Sequence, residues 1–211
     1  MYKLFFFIFL ALSYSPIFSQ SQNLIDSLRS NNENKVIVFK TNCTGCIVTD
    51  KPCEIYVENG NPWNLYVIWN NANGSYIKKF NNCGSSEIVS IRKWKDDPFY
   101  IINSNESVID TTQLKYPLSL NLEDSTWYET GINHYNYYEL SFPSYDIEDK
   151  LIRDYAFQET KSDEQFFVGN KDEFDRNEKR YAFNNSTSIK KILDSLLLTI
   201  EKKEKKLRII E

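Results

Sequence analysis

Four cysteines and a single histidine are the residues of this 211-residue chain best suited to chemistry. Three of the cysteines share one stretch, Thr41-Asn42-Cys43-Thr44-Gly45-Cys46-Ile47-Val48-Thr49-Asp50-Lys51-Pro52-Cys53, and the fourth is Cys83. Sulfurs at this spacing can bond to one another as staples, exchange disulfides through a thiolate, or hold a zinc ion. Four-cysteine zinc sites bring two close pairs. Here only Cys43 and Cys46 are close, and 29 residues separate Cys53 from Cys83. No metal is therefore expected. An even cysteine count in an exported chain reads first as two disulfides engaging Cys43, Cys46, Cys53 and Cys83, with three connectivities open.

The apolar run Val36-Ile37-Val38-Phe39 leads into Cys43-Thr44-Gly45-Cys46. A strand ending just before CxxC resembles the approach to a thioredoxin-like active site, over about a dozen residues. The resemblance implies a catalytic pair, Cys43 and Cys46, in which a helix N-terminus lowers the pKa of the first thiol. The residues after Cys46 depart from that pattern. Ile47-Val48-Thr49 is β-branched and Pro52 comes soon after, a poor start for a helix; only 15 residues separate Cys46 from Pro62. Thiol-disulfide exchange is thus the second reading and structural pairing the first. A meander of residues 53–58, 64–70 and 75–81 sets Cys53 and Cys83 roughly 20 Å apart at ~3.3 Å per residue, beyond the ~7 Å reach of a disulfide. The expected pairs are Cys46 with Cys53 and Cys43 with Cys83, with residues 36–40 parallel to the strand from 54.

Other catalytic routes find little material. His134 is the only histidine and lies between Asn133 and Tyr135, as in a surface turn. The six glycines, Gly45, Gly60, Gly74, Gly84, Gly131 and Gly169, fit neither a phosphate loop nor a dinucleotide fingerprint, so no cofactor is expected. Asn170, Asp172 and Asp175 hint at a calcium loop, but Phe174 stands where a ligand belongs. Pairs such as Asp96-Asp97 and Glu148-Asp149 are ordinary for a chain with 29 acidic residues.

A binding role has more support. Trp127, Tyr128, Tyr135, Tyr137 and Tyr145 make an aromatic-dense stretch. Residues 135–142 alternate, with Tyr138, Leu140 and Phe142 on one face and Tyr135, Tyr137, Glu139 and Ser141 on the other. Trp127, Tyr135 and Tyr137 are therefore candidate binding residues for a glycan or a protein partner, since aromatic rings offer rigid amphipathic area. The competing reading is a second core face beneath a helix.

These residues need a frame. Lys3, the apolar run Leu4 to Leu12 and Ser13 to Ser19 have the order of a secretory signal, cut after Ser19. Residues 20–211 then form one globular domain with a charged helical tail at 201–211, exported to the periplasm or the exterior if the cell is bacterial. The first apolar run is shorter than the ~20 residues that span a bilayer, and no transmembrane segment is expected in the mature chain. Loss of Lys3 takes the net charge from -4 to -5. Such a balance leaves no electrostatic footprint for nucleic acid.

A short helix is expected at 21–30, a doubly buried strand at 36–39, and a hairpin over 64–70 and 75–81 with Trp69 opposite Tyr76, Ile68 opposite Ile77 and Leu65 opposite Phe80. Further strands are expected at 88–94, from Trp127, at 135–142 and at 165–168, with a short helix capped by Asp146. Ser188 caps a C-terminal amphipathic helix with Ile189, Ile192, Leu193, Leu196, Leu197 and Ile200 on one face. The fold class is α+β, a mainly antiparallel sheet with that helix packed on it, stapled by disulfides. The function expected is an exported, non-enzymatic binding or interaction module.

Overall fold

The computed structural model of the chain describes residues 16–44, 63–81, 83–104, 114–121, 123–129, 135–157 and 171–209. The elements begin with α1 (Pro16–Ser30), β1 (Lys35–Thr44), β2 (Trp63–Asn71), β3 (Gly74–Asn81), β4 (Gly84–Ser85), β5 (Val89–Ile91) and α2 (Pro98–Ser104). They continue with β6 (Leu118–Leu120), β7 (Trp127–Glu129), β8 (Tyr135–Ser141), β9 (Lys150–Arg153), a 3-10 turn (Asp154–Ala156), α3 (Lys171–Ser186) and α4 (Ser188–Lys203).

The run Val36-Ile37-Val38-Phe39 becomes the middle of the sheet, because side chains that are apolar on both faces need cover on both. β1 pairs antiparallel with β2 on one edge and with β8 on the other. The sheet order is β4-β3-β2-β1-β8-β9, with β5 also on β3; β6 and β7 form a separate pair. The β2–β3 hairpin has the expected register, Trp69 opposite Tyr76 and Ile68 opposite Ile77, and the Trp69 and Tyr76 rings stack at 5.5 Å. Its loop is shorter than expected. Asn71 pairs with Gly74 across Ala72-Asn73, the Asn71 side chain accepts from the Asn73 N–H at 2.9 Å, and Gly74 takes φ +129°, which side chains disfavour. On the far edge Ser86 bridges β4 and β5: its N–H donates to the Lys79 carbonyl at 2.9 Å and its Oγ accepts from the Lys79 N–H at 3.0 Å.

Strand alternation sorts the core into two layers. Ile37, Phe39, Tyr66, Ile68, Ile77, Leu140 and Ile152 face α2 and α4, where Phe99, Ile102, Ile189, Ile192, Leu193 and Leu196 meet them. Full burial of each such aliphatic is worth about 1.5–3 kcal/mol. Burial and the charge of Glu204 push the Tyr66 phenol up to about 12. Val36, Val38, Leu65, Val67, Trp69 and Phe80 face the other way, against Leu24, Ile25 and Leu28 of α1. Asn34 ties that helix down, donating to the Leu28 carbonyl at 3.0 Å and accepting from the Asn71 amide at 3.3 Å.

Helix α3 has little apolar periodicity, and its polar residues bind backbone instead. Glu173, Asn177, Arg180 and Asn184 recur at four, three and four residues, one face of a helix. Asn184 accepts from the Lys115 N–H at 3.0 Å and donates to the Lys115 and Ala156 carbonyls at 2.8 and 2.7 Å. Arg180 donates to the Tyr116 carbonyl at 2.8 Å. Asn177 accepts from and donates to Leu118 at 2.8 and 2.9 Å, and Glu173 accepts from the Leu120 N–H at 3.5 Å. The helix so reads an extended segment as a neighbouring strand would, by its main chain.

Several expectations are corrected. The first helix starts at Pro16, upstream of Ser21. Asp146 caps no helix: β9 occupies 150–153 and Tyr155 is buried in a 3-10 turn, because Leu151 and Ile152 alternate between half-exposed and buried. The strand expected at 88–94 shortens to Val89–Ile91. Thr187, rather than Ser188, caps α4, accepting from the Lys190 N–H at 3.4 Å. Val38 to Asn42 are paired on both edges, which leaves no place there for a parallel strand from 54. The expected strands at 54–58 and 165–168 lie outside the described residues, as does His134. No helix among the described residues is long and apolar enough to cross a membrane.

Candidate ligand-binding face

On the α1 side of the sheet the character of the surface changes from β1 to β9. Helix α1 lies over β1, β2 and β3. Beyond it the same face carries Lys40, Asn42, Tyr135, Tyr137, Glu139, Leu151 and Arg153, as register and alternation dictate. Asn42, Tyr137 and Arg153 form one row of successive cross-strand partners, and Lys40, Glu139 and Leu151 form the next. Lys40 pairs with Glu139 at 3.5 Å. Leu151 is 50% exposed, and Tyr135 and Tyr137 are half-buried.

The tyrosines belong to a chain of rings. Tyr135 is 6.3 Å from Tyr137 and meets Tyr155 edge-on at 5.2 Å; Tyr155 in turn is 5.3 Å from Tyr116. Arg153 closes the group, its Nη1 donating to the Tyr155 Oη at 3.1 Å and its guanidinium 5.6 Å from the Tyr116 ring. The hydrogen bond to Tyr155 raises the pKa of this arginine further, so it stays a cation. Burial raises the Tyr116 phenol against the pull of Arg153. These contacts fix the β8–β9 side of the face.

Two buried polar atoms at this end of the sheet have no partner. Asn42 is 5% exposed, and its Nδ2 makes no hydrogen bond. Across the sheet Asp154 accepts from the Asn136 amide at 3.2 Å through Oδ2, while its buried Oδ1 has none. Burial, and after it the charge of Asp154, raises the Tyr138 phenol. An unsatisfied buried donor costs about 1–3 kcal/mol, which is unusual in a strand whose backbone is fully paired.

No protein family, characterised protein or solved structure matches this chain. The role of the face rests on its own geometry.

The structure brings Tyr135 and Tyr137 onto one face and places Trp127 elsewhere, on β7, where the Arg176 guanidinium lies 4.6 Å from its ring and Arg180 pairs with Glu129 at 3.8 Å. Asn42, Arg153, Tyr155 and Tyr116 escaped sequence reasoning because only the register of β1, β8 and β9 assembles them. The one local signal was Asn42, an amide interrupting a β-branched strand. Among the cysteines, Cys43 lies within β1, which continues to Thr44 with Asn136 as register partner of Cys43. Cys83 is disulfide-bonded, and no described cysteine is free. Cys46 and Cys53 lie outside the described residues, and no described group of side chains has the makings of a metal site.

Proposed function

We propose that this chain is an exported, non-enzymatic binding module and that its ligand surface is the β8–β9 part of the α1-side face, centred on Tyr135, Tyr137 and Arg153. The observation that carries this reading is the pair of half-buried rings, Tyr135 and Tyr137, 6.3 Å apart on the part of the sheet beyond α1, with the half-exposed Leu151 beside them. Aromatic rings at a surface offer rigid amphipathic area to a partner. Replacing Tyr135 and Tyr137 together by serine should cost at most about 2 kcal/mol of stability for two half-buried rings. It should also abolish whatever the wild-type protein retains from the extracellular fraction of its host. A collapse of stability would instead make the tyrosines a second core.

Two disulfides at the cysteine-bearing end of the sheet belong to the same reading. Asn42 stands opposite Trp63 and Leu65 opposite Phe80, so Cys43, within β1, and Cys83, just past β3, stand on either side of β2. That is two strand spacings, about 10 Å, too far for a bond. With Cys43 out of reach, the partner of Cys83 is Cys46 or Cys53. The oxidoreductase alternative needs Cys43 bonded to Cys46. Non-reducing peptide mapping should recover a peptide joining residue 83 to residue 46 or residue 53; a bridge between Cys43 and Cys46 would restore the exchange chemistry.

A further inference from the structure

We infer that the hollow between the end of β3 and the chain that turns back after α4 binds a phosphate group, held by Lys205 and Arg208. The site stands apart from the tyrosine face. Lys79, on its β3 wall, is the cross-strand partner of Tyr66, whose ring packs in the layer beneath α4. The hollow therefore belongs to the side of the sheet opposite Tyr135 and Tyr137.

Lys79, Asn81, Glu204, Lys205, Leu207 and Arg208 line a space of about 440 Å³. Three cations thus meet one carboxylate there, in a chain whose net charge is -4. The segment that supplies two of them is anchored. Leu207 is 2% exposed within the core layer. The Lys206 and Leu207 N–H groups donate to the Lys203 carbonyl at 2.8 and 3.0 Å, and Leu207 also donates to the Glu204 carbonyl at 3.1 Å. Lys205 and Arg208 flank these bonds, so the backbone that carries them is fixed at the hollow.

Folding does not account for these two cations. Cations near a helix C-terminus offset its dipole, but the effect fades beyond the last turn. Lys202 and Lys203 already occupy that turn of α4, and the Lys203 carbonyl has its N–H partners. Neither Lys205 nor Arg208 forms an ion pair among the described residues. Like charges gathered in one hollow repel, and a bound anion removes the repulsion. The chemical class follows from the count. A surplus of two cations matches a phosphate group, which carries a charge of about -1.5 to -2 at pH 7 and offers three acceptor oxygens. A single carboxylate would leave the hollow positive. The Arg208 guanidinium suits two of those oxygens at once, and the Lys205 ammonium acts as a point charge. Soluble phosphate esters and the headgroups of anionic phospholipids both carry such a group.

The test follows thermal unfolding of the whole mature chain at constant ionic strength, in chloride and in inorganic phosphate, together with co-sedimentation on phosphatidylglycerol vesicles. Phosphate should raise the midpoint above its value in chloride. The double variant Lys205→Gln with Arg208→Gln should bind phosphate about tenfold more weakly or worse, having lost two charge-assisted contacts. Its midpoint in dilute chloride should equal or exceed that of the wild type, because the repulsion is gone. Glu204→Gln should bind phosphate more tightly. Phosphate also stabilises proteins in general by exclusion from their surface, so an equal rise in wild type and double variant overturns the inference. A double variant that loses stability in chloride overturns it too. A rise with phosphate and no sedimentation assigns a soluble phosphate ester; sedimentation that the double variant loses assigns a lipid headgroup; neither result overturns the inference outright. The variant with both Tyr135 and Tyr137 replaced by serine should respond to phosphate as the wild type does, so failure here leaves the binding-module reading untouched.

Discussion

Asn184→Leu should lower the stability of this protein by about 3–5 kcal/mol, among the largest effects of any single polar replacement in it. Asn184 is fully buried, and its amide satisfies three backbone groups: the Lys115 N–H, the Lys115 carbonyl and the Ala156 carbonyl. Leucine fills a similar volume, so the loss is one of hydrogen bonds. Leaving a buried backbone group unpaired costs about 1–3 kcal/mol, and water reaches Lys115 more readily than Ala156, which brings the sum below three full penalties. Asn184→Asp should be nearly as damaging. It keeps the acceptor for Lys115 but turns the two donated bonds into contacts between a carboxylate oxygen and carbonyl oxygens. Urea unfolding should show the midpoint falling with an unchanged slope, the mark of lost stability rather than of an altered unfolded state. A loss under about 1 kcal/mol for both variants would mean that the segment from Lys115 to Leu120 is held by something other than the α3 amides.

Ile25→Asp should be comparably severe, for the opposite reason. Ile25 is buried against Val36, Val38, Leu65, Val67, Trp69 and Phe80, a layer with no partner for a carboxylate. Replacing it removes an aliphatic side chain, about 2–5 kcal/mol for truncation in a core, and adds a charge that must either protonate or expose the layer to water. Ile25→Val, which keeps the shape, should cost about 0.5–1.5 kcal/mol. The pair also bears on the mature N-terminus. A chain cut after Ser19 retains Ser21, Leu24, Ile25 and Leu28, and should match the full chain in its thermal midpoint. A chain beginning at Asn31 should bind hydrophobic dyes and aggregate. Equal stability of that shorter chain would show that α1 is not the lid of the second layer.

How far the sequence spoke depended on the range over which each signal acts. The run from Val36 to Phe39 announced a doubly covered strand because β-branched residues on both parities admit little else, and β1 lies there. The β2–β3 register followed from local pairs, Trp69 with Tyr76 above all. The face of α4 was legible from Ile189 to Ile200 for the same reason, since apolar periodicity is a property of one element. Helix α3 was missed: it buries Asn177, Asn184 and Tyr181, and its function is to bond to a distant backbone, which no hydrophobic pattern reports. The site was legible only in half. Alternation placed Tyr135 and Tyr137 opposite Leu140 correctly, whereas Trp127, close in sequence, belongs to another sheet. Asn42 and Arg153 are 111 residues apart in the chain, and nothing short of the order β1-β8-β9 brings them together.

The central place of β1 also governs timing. This strand is nearly the first element made, yet its second edge is closed by β8, with Val38 opposite Ser141, so the heart of the sheet waits for about a hundred further residues to leave the ribosome. Contacts so far apart along the chain fold slowly, because the loop between them must be closed before any pairing compensates. Until then the nascent polypeptide stays open at its core. The same delay leaves the unpaired edge of β1 and its valines and isoleucine open to neighbouring chains. Aggregation during overproduction should accordingly begin from residues 35–44.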